Sequence, residues 1–274
     1  MAWNTCAIGD RVPRRGNWFT QLIGRVVLYV LGWRIDVSRL PNIPKMVVVG
    51  APHTSNWEFI MTVLLILSLR MNINWMGKHT MFAWPFGSLL RWLGGLPIDR
   101  TCKNDVTAAT VREFARRSHF CCAIMVEGTR DVVTNWKSGF WYIARGADVP
   151  VVPVIFDYGR RVLSFGPAYE LTDDLVRDTY NLQLPFRDVI AKNPELQLAL
   201  PVDPAVTRAT MLREKERLEA REQADRERSD HESQQYEVDT SESLAKAPTT
   251  AATSMHTTTT TTTTMKPLPL VSNL

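Results

Sequence analysis

Cysteine is scarce in this 274-residue chain, and none of the four, Cys6, Cys102, Cys121 and Cys122, shows metal-ligand or redox spacing. Their scarcity points to a reducing compartment without structural disulfides. A zinc-finger spacing, an RNP-like motif, a dinucleotide fingerprint and a cluster of metal ligands are all missing, so the chain carries no sign of nucleic-acid binding, of a metal or of a bound cofactor. There is no signal-peptide pattern with a small-residue cleavage site. The longest apolar stretches are too short or too interrupted to cross a bilayer.

What is present is enough for a folded core, with 45% hydrophobic and 9% aromatic residues. The net charge of +4 is unevenly spread: residues 208–274 hold nine basic and eleven acidic side chains, leaving the first 207 residues with a balance of +6. A basic folded part suits anionic lipid or phosphate-bearing substrates, and equally suits plain solubility.

The most informative stretch runs from Val47 to Phe59. The β-branched residues Val47, Val48 and Val49 predict a buried strand, Pro52 breaks it, and an apolar pattern at 59–69 predicts a core helix. His53 then stands where a strand ends and a helix begins, at the edge of a sheet that ligands can enter. Glu58, five positions on, is near enough to orient the imidazole so that the ring takes a proton from a hydroxyl. A competing reading is a capping box, with the Ser55 hydroxyl on the Glu58 N–H and the Glu58 carboxylate returning to the Ser55 N–H.

The strand expected at 121–126 repeats this layout and runs into Glu127-Gly128-Thr129-Arg130. In a parallel sheet both strand ends face one edge, bringing His53 and Arg130 to one crevice. Adjacent Cys121 and Cys122 are expected on opposite faces of that strand. Other strands are expected at 72–77, delivering Lys78, at 149–156, and at 161–166; a helix is expected at 104–118, and residues 136–140 lead into a short helix ending near Gly146. Pro150 and Pro153 would confine the 149–156 strand to an edge, a bulge or a strand start.

His53-Thr54-Ser55-Asn56-Trp57-Glu58 resembles the His-x4-Asp motif of the glycerolipid acyltransferases, of which the 1-acylglycerol-3-phosphate acyltransferases are the best known. Gly94-Gly95-Leu96-Pro97-Ile98-Asp99-Arg100, Val126-Glu127-Gly128-Thr129-Arg130 and Val149-Pro150-Val151-Val152-Pro153-Val154 resemble the family's second, third and fourth motifs, in its order. The resemblance spans about residues 16–172. Two departures are Glu58 in place of the usual Asp and Val126 in place of the usual Pro.

The resemblance implies a glycerol-3-phosphate/lysophosphatidate acyltransferase-like fold, an α/β domain with a mixed, largely parallel sheet flanked by helices. It implies transfer of a fatty acyl group from acyl-CoA or acyl carrier protein to a hydroxyl of a lysophospholipid or glycerol phosphate, in phospholipid biosynthesis or remodelling. His53 would be the base and Glu58 its partner. Substrate binding falls to Arg100, Glu127, Gly128, Thr129 and Arg130, with Lys78 and Lys137 as further phosphate contacts. No metal and no cofactor beyond the acyl thioester co-substrate is expected. Two other readings stand beside it: a non-catalytic acyl-CoA- or lipid-binding relative with a weakened dyad, and a peripheral membrane scaffold.

Residues 1–40 are expected to be a membrane-associating helical segment, because Arg14, Arg15, Arg25 and Arg34 alternate with Trp18, Phe19, Tyr29 and Trp33. Residues 41–200 would form the acyltransferase-like domain. Residues 201–232, rich in both charges, read as a solvated helix, and residues 233–274, with eight consecutive threonines at 257–264, as a disordered tail. The chain is expected at a membrane, on its cytoplasmic face, as a monotopic or peripheral protein.

Overall fold

A computed structural model describes residues 8–98, 103–213, 215–217, 220 and 223. Two compact units divide the chain, residues 1–215 and 216–274. In the second, the described residues 216, 217, 220 and 223 are helical.

The first unit contains a seven-stranded sheet in the order β1-β7-β6-β2-β5-β3-β4. The strands are β1 (Arg34–Asp36), β2 (Lys45–Ala51), β3 (Ile73–Lys78), β4 (Gly95–Ile98), β5 (Phe120–Met125), β6 (Val151–Asp157) and β7 (Val162–Phe165). Neighbours pair in parallel except β6 with β7, so β2 to β6 all point one way. The sheet is mixed and largely parallel, with helices on both faces.

Period-two alternation explains the two-sided core. Along β2, Met46 and Val48 pack on one face with Met61, Leu65 and Leu69 of helix α2 (Trp57–Leu69) and Leu28 of α1 (Trp18–Val30). Val47 and Val49 pack on the other with Phe114 of α4 (Lys103–Arg116), Phe140 and Ile143 of α5 (Gly139–Ala147) and Leu182 of α6 (Leu175–Gln183). A short helix α3 (Gly87–Trp92) lies between β3 and β4. Cys121 and Cys122 separate between these two cores, as the pleat requires. Both thiols are buried, which pushes their pKa values up, to about 12 for Cys122 and further for Cys121, whose neighbour Cys122 adds to the effect.

One expectation is corrected. β6 lies inside the sheet between β2 and β7, fully buried, despite Pro153. The Pro153 carbonyl accepts from Gly166 N–H at 2.9 Å, so its missing donor faces the same way, beyond the last residue of β7. The loss is confined to a single bond at the end of β7, opposite Gly166, and pairing resumes where Val151 and Tyr169 exchange backbone bonds. Pro150 does precede the strand, and its carbonyl accepts from Val47 N–H at 3.0 Å.

α1 packs on α2 through a narrow seam, in which Gly24 and Leu28 are its buried residues. A Cβ at Gly24 would sit 2.7 Å from both the backbone nitrogen and the hydroxyl of Ser68, so the close approach of these helices needs glycine. The remaining apolar face of α1 is open: Trp18 is 71% exposed, and Phe19, Leu22, Ile23, Val26, Tyr29 and Val30 are also exposed. Trp57 and Ile60 of α2, and Trp84, Phe86, Leu89 and Trp92 in and before α3, are exposed too. Among the described residues no helix is long and apolar enough to cross a membrane.

Candidate active site

Strands β6, β2 and β5 are adjacent and parallel, so their carboxyl ends deliver three loops to one edge. The loop after β2 carries His53, that after β5 carries Glu127 to Arg130, and β6 is followed directly by Tyr158.

Three side chains hold the His53 turn. His53 N–H donates to Glu127 Oε2 at 2.9 Å. Ser55 N–H donates to Glu58 Oε2 at 2.7 Å, and the Ser55 hydroxyl donates to the same carboxylate at 2.9 Å. Thr54, also buried, is clasped by Asn193, whose side-chain amide donates to the Thr54 carbonyl at 2.9 Å and whose backbone N–H reaches the hydroxyl at 3.2 Å.

The capping arrangement is therefore half realised. Glu58 returns to the Ser55 N–H as in a capping box, but the Ser55 oxygen accepts from Trp57 N–H, at 3.0 Å. Lying in the first turn of α2, the Glu58 carboxylate also gains from the helix dipole. Its Oε2 stands 3.9 Å from His53 Nδ1, within ion-pair reach but beyond a hydrogen bond. His53 Nδ1 is buried and has no hydrogen-bond partner, as is also true of Glu127 Oε1.

Burial sets the protonation states. It lowers the pKa of His53 to about 4, helped by the positive charge of Arg130, so the ring is neutral near pH 7 and has a nitrogen free to accept a proton. Burial raises the carboxyl of Glu58 above its ordinary value, and the Ser55 bonds oppose that rise. Glu127 is raised by burial and by the charge of Glu58, while its bond from His53 N–H counteracts both.

Among the residues singled out from sequence, His53, Glu58, Glu127 and Arg130 come together at this edge. Gly128 adopts φ +70°, and a Cβ there would lie 2.7 Å from Lys137 Cε, so the Lys137 side chain runs close across the glycine. The Thr129 hydroxyl donates to Asp131 Oδ2 at 2.8 Å. Lys78 ends β3, and the parallel register of β3 with β5 puts it at the same sheet edge. Arg100 lies outside the described residues. Sequence reasoning missed Tyr158 and Asn193; a polar Asp157-Tyr158 pair closing an apolar strand was the available signal for the first, and nothing local marks the second. Among the described residues no group of His, Cys, Asp and Glu is placed to hold a metal ion.

A neutral histidine at the end of one parallel strand, with basic and glycine-containing loop residues at the end of the next, is an arrangement able to accept a proton from a hydroxyl. Residues 34–157 match the family model described as Acyltransferase. Among solved structures it is similar to the 1-acyl-sn-glycerophosphate acyltransferase of Thermotoga maritima, at 19% sequence identity and a TM-score of 0.41, over 57% of this chain and 69% of that one. No curated protein matches the chain.

Proposed function

We propose that this acyltransferase moves a fatty acyl group from an acyl thioester, acyl-CoA or acyl carrier protein, to a hydroxyl of a lysophospholipid or glycerol phosphate, in phospholipid biosynthesis or remodelling. The observation that carries the reading is His53: a buried imidazole kept neutral by its surroundings, 3.9 Å from Glu58 and electrostatically coupled to Arg130.

In this reading His53 removes the acceptor's hydroxyl proton as the oxygen attacks the thioester carbonyl. The tetrahedral intermediate expels the thiolate, which recovers the proton from the imidazolium, giving an ester and a free thiol. Glu58 stabilises the transient imidazolium after closing the remaining gap of about 1 Å. Arg130, with Arg100, Lys78 and Lys137, provides positive charge for the acceptor's phosphate, which holds its hydroxyl near the base. The acceptor attacks directly, so no acyl-enzyme and no cofactor other than the thioester is required.

The membrane is the proposed location of the lipid substrate. The exposed apolar face of α1, flanked by Arg14, Arg15 and Arg25, supports a monotopic or peripheral seat on the cytoplasmic leaflet. One observation favours lipid binding without turnover instead: the Glu58 carboxylate is already engaged by Ser55.

Thiol release from acyl-CoA with a panel of lysophospholipids and glycerol 3-phosphate tests the proposal. Acceptor-dependent release that drops by about 10²–10⁴-fold in His53→Ala is expected. Lipid binding with no release from either donor class would overturn it in favour of the binding protein.

A further inference from the structure

Tyr158 belongs to none of the four motifs, yet its buried hydroxyl interacts electrostatically with the Glu58 carboxylate. It follows β6 directly, and its backbone N–H donates to the Ile190 carbonyl at 2.9 Å. Its ring is packed edge-on to Trp33, with centroids 4.9 Å apart, and Lys192 Nζ lies 6.0 Å from the ring centroid. The phenol is thereby fixed from both sides. Its hydroxyl is buried and makes no well-formed hydrogen bond, as His53 Nδ1 also makes none. The group it faces is Glu58, whose charge raises the phenol's pKa after the larger effect of burial, so Tyr158 remains a proton donor.

We infer that Tyr158 is a positioning residue for the His53–Glu58 pair, its hydroxyl donating to the Glu58 carboxylate so that the acid stays ionised and aimed at the imidazole. This rests on the acyl-transfer reading of His53. A carboxylate offers about four acceptor positions, so bonds from Ser55 and Tyr158 leave one for His53 Nδ1. Without such support Glu58 is a fully buried acid next to a second buried acid, Glu127, and protonation would relieve both. The titratable groups around Glu58 are His53 on its own loop, Glu127 and Arg130 after β5, and Tyr158 after β6, with Lys192 above the phenol. Ser55 and the Tyr158 hydroxyl are the donors that hold Glu58 in place, while the Nδ1–H of the neutral His53 ring is the donor it is to meet.

The test compares Tyr158→Phe with the native full-length chain, because phenylalanine keeps the ring against Trp33. In carbon-13 NMR of glutamate-labelled protein, the Glu58 carboxyl, assigned with Glu58→Gln, is expected to titrate about 0.5–1 pH units higher in the variant. In the acyl-transfer assay the acid limb of kcat moves to higher pH and kcat falls about tenfold near pH 6, with KM unchanged. Difluorotyrosine at the same position, a stronger donor, is expected to move the limb the other way and keeps the question decidable if the phenylalanine variant folds poorly. Tyr142→Phe, an exposed site remote in role, leaves all of these unchanged.

An unaltered Glu58 titration overturns the inference whether or not the chain transfers acyl groups. An unaltered limb with a changed KM overturns it as well, since the hydroxyl would then be contacting substrate. A native chain with no transferase activity, or full activity in His53→Ala, sinks the acyl-transfer reading instead; a raised Glu58 titration in Tyr158→Phe would still support the contact.

Discussion

The backbone N–H of His53 is bound by the side chain of Glu127, 74 positions further along the chain, at 2.9 Å. One strand's terminal loop thus fixes the residue that ends its neighbour. Glu127, expected from the family resemblance to contact substrate, also holds His53 in place, and the two duties separate in kinetics. Glu127→Ala is expected to lower kcat and to reduce stability by about 1–3 kcal/mol, because it leaves a buried donor unpaired. Glu127→Gln retains an acceptor and should recover most of the stability. A change in KM for the acceptor with unchanged kcat would instead assign Glu127 to substrate binding alone. Denaturant unfolding and steady-state kinetics on the two variants decide.

The depressed pKa of His53 gives stability a definite slope with pH. Between an unfolded value near 6.5 and a folded value of about 4, the unfolded chain binds the proton that the folded chain refuses. This contribution is fully present above pH 6.5 and is lost as pH falls through that window. Glu58 and Glu127 act in the opposite sense, since their raised folded pKa values favour the folded state at low pH and lose that advantage as pH rises above their ordinary values. His53→Gln is therefore expected to flatten the decline in melting temperature between pH 6.5 and 4, measured against the native chain.

Gly24 permits the α1–α2 contact. Gly24→Leu is expected to separate the two helices and destabilise the chain by about 1–3 kcal/mol, as overpacking does. Gly24→Ala should cost less, because one methyl group meets the Ser68 backbone and hydroxyl where leucine brings a whole side chain. Calorimetric melting temperatures ranked Gly24 above Ala above Leu would agree; Leu equal to Gly would not.

Replacing Trp18, Phe19 and Val30 together by serine removes exposed apolar surface without touching the core. Co-sedimentation with vesicles containing anionic phospholipid is expected to fall markedly, and the native chain's binding should weaken with added salt, since arginines flank the helix. Unaltered sedimentation would remove α1 as the membrane contact.

At Gly128 the left-handed φ of +70° and the overlying Lys137 chain both oppose a side chain. Gly128→Ala is expected to cost about 1–2 kcal/mol from the backbone alone and to displace Lys137. Acceptor KM and unfolding free energy measure the two effects separately.

Local patterning made much of this molecule legible in advance. The valines of β2, the break at Pro52 and the apolar run that follows specify a strand, a turn and a core helix, because period-two and helical periodicities are written in neighbouring residues. The same reasoning separated Cys121 from Cys122, and placed His53 and Arg130 at strand ends. It misjudged Pro153, because the cost of one missing N–H depends on how the neighbouring segment pairs around it, and here the loss is limited to one bond at the end of β7. The capping-box pattern at Ser55 and Glu58 was visible, but its incomplete form, and the 3.9 Å left between Glu58 and His53, depend on how the turn is held.

That hold comes from far along the chain. Glu127, Tyr158 and Asn193 reach the His53 turn only because β5 and β6 flank β2, and strand order is decided by which faces and edges bury together, a collective property no local segment encodes. Burial then makes the histidine neutral and the acids reluctant to ionise, since desolvation acts on the folded site and not on the residue. Neighbouring residues specify which groups are available and on which kind of element each stands; the packing of distant strands sets their distances, their partners and their charges.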